Sequence, residues 1–187
     1  MQELFDAIAA GDAARVRELV AADATLAGCR DDEGVSARMQ ARYRSQSEIV
    51  AILVDSGPEL DVFEAAALGA EERLDELLAH DRSLVGARSA DGFTPLHFAA
   101  FFAHPEAARL LVERGGDVSA VAHNPMQVQP LHSAAAASCR EVVELLLEHG
   151  ADPNAEQQGG HVPLDAARRN GDDDIAELLL AHGATPR

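Results

Sequence analysis

Apolar residues recur along this chain in short bursts of helical spacing. In "REVVELLLEHG", Val142, Leu145 and Leu146 fall at i, i+3 and i+4, and Val143 and Leu147 widen the stripe. Gly150 follows, where a left-handed C-cap would end such a helix. Upstream of the burst lies a different pattern: a leucine, a polar residue, then a run of small side chains, as in "PLHSAAAA". A proline at the first helical position costs nothing there, because its missing N–H would have had no partner. The pair predicts two short antiparallel helices, the first with a small-residue face that another helix can approach closely. A helix pair that is apolar on two sides must stack on neighbours.

The pattern repeats. "GFTPLHFAAFFAHPEAARLLVERGGDVSA", "VQPLHSAAAASCREVVELLLEHGADPNA" and "HVPLDAARRNGDDDIAELLLAHGATP" align on Leu96, Leu131 and Leu164. Weaker copies are anchored at Leu4, Arg38 and Val62, so six copies tile the chain. The residues Asp91-Gly92-x-Thr94-Pro95-Leu96-His97, Pro130-Leu131-His132 and "LLLEHGADPNA" resemble the ankyrin-repeat family. The resemblance is strong over 89–187 and weaker over 1–88. It implies an all-α solenoid of about six helix pairs, with hairpin tips and first helices lining a concave face that binds other proteins. It also implies that His97 and His132 hold their turns by hydrogen bonds. Asp165 stands at the same place in the sixth copy.

The spacing breaks once. The anchors stand at 4, 38, 62, 96, 131 and 164, so the third copy has lost about ten residues before its first helix. That is the length of a projecting hairpin, and "DSGPELDVF" makes the connection instead. Copies 1 and 3 also carry Arg15 and Glu18, and Arg73 and Glu76, where copies 2, 4, 5 and 6 carry apolar residues. A polar flank suits an end repeat that meets water. Phe5/Phe63, Gly11/Gly69, Leu26/Leu84, Gly28/Gly86 and Arg30/Arg88 all lie 58 apart. The reading is a single domain over 1–187, with a cap plus one repeat over 1–57 and a cap-like repeat plus three repeats over 58–187. Arg38 occupies a leucine's slot. Because a buried unpaired arginine is very costly, either the register slips locally or Arg38 pairs with an acid such as Glu64 or Glu76.

Composition narrows function. Aromatics are 4% with no Trp, so Ala, Leu and Val must build the core. The formal net charge of −17 argues against nucleic acid and anionic membranes as partners. "MQELFDAIAAGD" has neither a basic start nor an apolar core segment, so it does not read as a signal peptide. Cys29 and Cys139 form no CxxC and predict free thiols in a reduced, cytoplasmic protein. No nucleophile elbow, zincin, phosphate-loop or dinucleotide motif occurs. His80, His149 and His182 are equivalent between copies, but helices about 8–10 Å apart do not bring ring nitrogens together on one ion. No metal and no cofactor is expected.

The resemblance implies that the informative positions are those the family leaves free on its concave face: Tyr43, Arg44, Leu68, Phe101 and Phe102, with the turn residues Phe93 and Val128. Two readings of the phenylalanines stand side by side. They form a partner-binding patch, or they fill space left by the missing hairpin. The functional expectation is a monomeric, non-catalytic protein-binding scaffold. The alternatives are a small-ligand sensor or enzyme at the irregular junction of repeats 2 and 3, and an accessory or inhibitory subunit of a complex.

Overall fold

Wherever the small-residue run and the amphipathic burst occur, the chain forms two helices joined by a tight turn. The computed structural model describes residues 1–186 and contains α1 (Gln2–Ala10), α2 (Ala13–Ala22), α3 (Ala37–Tyr43), α4 (Ser47–Ser56), α5 (Val62–Leu68), α6 (Glu71–His80), α7 (Pro95–Phe101), α8 (Pro105–Glu113), α9 (Pro130–Ala136), α10 (Arg140–Glu148), α11 (Pro163–Asn170) and α12 (Asp173–Ala181). The described residues contain no strand, only an isolated bridge between Arg30 and Ser36. The chain divides into two compact units, Met1–Glu64 and Ala65 onward.

In the first unit α1 packs on α2 and α3, and α4 packs on α2 and α3. Leu4, Ile8, Val16, Ala37, Ala41, Ile49 and Leu53 fill the space between them. In the second unit α7, α9 and α11 stack side by side as one layer, and α6, α8, α10 and α12 as the other. The anchors Leu96, Leu131 and Leu164 are buried, and the alanine pairs Ala99–Ala100 and Ala134–Ala135 are fully enclosed. Small side chains there let neighbouring first helices approach closely, which explains a core built with so few aromatics.

The 58-residue relation is visible in the backbone. Short 3-10 turns span Ala24–Gly28 and Arg82–Gly86, each capped by an aspartate, Asp23 or Asp81. Those carboxyls are held below the usual range by the hydroxyls and amides of Thr25 and Ser83. The polar flanks form ion pairs on the surface, Arg15 with Glu18 and Arg73 with Glu76.

The residue that turns each first helix into its second adopts positive φ in all six copies. It is glycine at Gly11, Gly69 and Gly171, but Ser45, Ala103 and Ser138 in the others, at φ 57°, 58° and 56°. A side chain in that conformation is strained. In the third copy the connection from α4 to α5 spans only 57–61, against 114–129 between α8 and α9. The projecting hairpin is absent there.

Candidate functional site

The histidine motif is structural in its geometry. The Thr94 N–H donates to His97 Nδ1 at 3.2 Å, and the Thr94 hydroxyl donates to the same atom at 2.8 Å. Nε2 therefore carries the proton and donates to the Val128 carbonyl at 3.0 Å, which ties the next hairpin to this helix. Burial, more than any neighbouring charge, pushes the His97 imidazole down to about 4. His132 repeats the near half of this, accepting the Gln129 N–H on Nδ1 at 3.2 Å while its buried Nε2 meets no partner, and burial lowers its pKa as well. In the sixth copy Asp165 accepts from the Val162 N–H at 2.9 Å. His97, His132 and Asp165 thus hold the same turn in successive copies. His149 and His182 each bond a carbonyl one turn back in their own helix, Leu145 and Leu178. Among the described residues no three His, Cys, Asp or Glu side chains gather as a metal would require.

Arg38 does not slip out of the core. It is 2% exposed and lies 3.0 Å from Glu64 Oε2, itself in a residue only 4% exposed. Its Nη2 donates to the Pro58 carbonyl at 2.6 Å and its Nε to the Leu53 carbonyl at 3.2 Å. The Ser36 hydroxyl and the Asp61 N–H complete the carboxylate. Of the two acids the sequence offered, Glu64 is the partner. Sequence reasoning missed the supporting shell: Ser36, the Leu53 and Pro58 carbonyls, and Gly57. A methyl group on Gly57 would overlap Arg38 Nη2 and crowd Ala27 and the Leu53 carbonyl. The one available signal was Ser36, which stands where Thr94 stands in the fourth copy.

The expected surface residues fall in different environments. Phe101 is 48% exposed, and its ring meets Phe102 edge-on at 5.0 Å. Phe102, Leu68 and Phe93 are half-buried, with Phe93 packed against His97 and Phe98. Val128 is 9% exposed, and its carbonyl is taken by His97. It supports the turn and offers no open surface, because the hairpin folds down to meet the imidazole. Phe101, Ala136 and Arg169 occupy the same place on α7, α9 and α11 and are all exposed. Tyr43 and Arg44 lie in the other unit and are exposed, with Arg44 bonded to the Gln40 carbonyl and side chain. That unit also holds a cavity of about 370 Å³ lined by α1, the Asp31–Glu33 loop, Gln40 and Arg44.

The family model for ankyrin repeats (3 copies) matches residues 4–122, 62–157 and 122–187. Its matches run through all six helix pairs, the shortened third included. With the histidine-held turns and the stacked helix pairs, this shows that the chain belongs to the ankyrin-repeat family.

Proposed function

We propose that this chain is a non-catalytic module that binds a partner protein through the exposed side of its first helices. Ankyrin repeats are generally protein–protein interaction modules. The observation that carries the reading here is Phe101. A phenylalanine left half in water forgoes much of the roughly 1.5–3 kcal/mol that burial would return. Exposed aromatics that sit together typically mark an interface. Phe102, Leu68 and Phe93 are the half-buried residues on the same reading, and Tyr43 and Arg44 are its exposed residues on the first unit. The junction of repeats 2 and 3 gives a ligand-site reading little support, because Arg38 and Glu64 satisfy one another. A reducing, cytoplasmic setting fits the two free cysteines. No helix among the described residues is long and apolar enough to cross a membrane.

The test is the Phe101→Ala/Phe102→Ala variant, compared with the parent chain in thermal unfolding and in recovery of co-purifying proteins. A binding surface predicts a melting temperature within a few degrees and loss of a specific partner, about 2 kcal/mol or more per anchor. Loss of about 3–5 kcal/mol of stability per phenylalanine would identify them as core and end the proposal.

A further inference from the structure

The cavity of the first unit has its own chemistry. Its volume of about 370 Å³ lies within the range that holds small ligands or a large side chain. Phe5 and Ala9 of α1, with Met1 before it, supply an apolar wall. Asp6, Asp31, Asp32 and Glu33 supply four carboxylates against two cations, the Arg44 guanidinium and the Met1 ammonium.

Those carboxylates are not equally committed. Asp31 accepts the Glu33 and Val35 N–H groups on one oxygen and the Gln40 amide on the other. Gln40 in turn accepts from Arg44, so the guanidinium is held to its own helix. Asp6 accepts from Gln2. The side chains of Asp32 and Glu33 accept no hydrogen bond and pair with no cation among the described residues. A concavity walled by low-dielectric side chains focuses the field of charges on its rim. The excess here is negative, in a chain whose net charge is −17.

We infer that this cavity takes a lysine or arginine side chain from a basic segment of a partner protein. The stem of the side chain lies along Phe5 and Ala9, and the cationic head meets Asp32 and Glu33. Long cationic side chains suit such a site, since they cover apolar surface with their methylenes and present charge at the tip. An anionic partner is repelled from the same rim. The inference does not depend on Phe101 and Phe102.

The test uses an acetylated, amidated eight-residue peptide of alternating leucine and lysine, and its counterpart with glutamate for lysine. Each is titrated into isotope-labelled full chain at physiological salt, and amide shifts are mapped. The lysine peptide is expected to move amides of residues 5–9, 31–35 and 40–44, and the glutamate peptide to leave them in place. Asp32→Asn/Glu33→Gln is expected to weaken the lysine peptide about tenfold. Glu113→Gln/Glu148→Gln removes the same charge from exposed positions of the other unit and is expected to change affinity less than about twofold. The Phe101→Ala/Phe102→Ala variant should bind the peptide unchanged. Equal weakening by both charge pairs would mean that net charge alone attracts the peptide. Absence of shifts at the cavity, or loss of binding in the phenylalanine variant, would overturn the assignment as well.

Discussion

Replacing Glu64 with alanine should remove most of the stability of the first unit. The carboxylate receives Arg38, the Ser36 hydroxyl and the Asp61 N–H, and Arg38, Ser36 and Glu64 itself lie out of water. Truncation leaves a guanidinium buried with only the Leu53 and Pro58 carbonyls for company. Breaking a buried pair by removing one partner costs about 3–5 kcal/mol. Whole small domains are stable by about 5–15 kcal/mol, so this single change should move the unit close to its unfolding midpoint. An Arg38→Leu/Glu64→Leu double variant removes both charges and restores the leucine that other copies carry at the anchor. It should recover at least about 2 kcal/mol relative to the sum of the single changes, within the range measured for directly coupled residues. The molecule carries a convenient reporter, because Tyr43 is its only tyrosine, ends α3 and has no tryptophan to mask it. Tyrosine fluorescence in a urea titration therefore follows the first unit, while circular dichroism follows all the helices. A Glu64→Ala loss below about 1 kcal/mol, or singles that simply add up in the double variant, would refute the claim that the pair is energetically coupled.

Acid should weaken the second unit through His97. Folding holds the imidazole neutral down to about 4, whereas the unfolded chain takes up a proton near the ordinary histidine value of 6.5. Stability is therefore full above that value, falls as the pH drops toward 4, and loses about 3 kcal/mol over the window. Urea midpoints between pH 7 and 4.5 measure the slope, and His97→Gln should flatten it. Ala103→Gly should raise stability by about 0.5–1 kcal/mol, since glycine adopts the required positive φ without strain; the same change at Ala99, buried within α7, should lower it.

Much of the fold was legible because each copy is closed by local rules. A proline at the first position, a leucine anchor, a small-residue face and an amphipathic second helix recur at near-constant spacing, and the helices formed where that pattern stood. Arg38 marks where local rules end. Its slot predicted burial, but its partner depended on which distant acid the shortened connection brings near, and two acids matched on paper. Glu76 pairs instead with Arg73 on its own helix. Val128 reads as a free turn position in sequence. Its burial follows from a hydrogen bond across to His97, thirty-one residues away. The cavity beside Asp32 and Glu33 had no periodic signature, since it is a space bounded by α1 and a loop rather than a motif.

The buried ion pair also limits how this array can lengthen over evolutionary time. A duplicated copy placed between the fourth and fifth repeats would bring its own hairpin, leucine anchor and turn histidine, and would meet neighbours built on the same plan. One placed between the second and third would part Arg38 from Glu64, leaving each charge against leucine-lined surfaces with no counterion. Gly57, Ser36, Arg38 and Glu64 would have to change together for such an insertion to fold. Recombination can therefore add modules on the histidine-bearing side of the chain, whereas the second and third copies must be inherited as one piece.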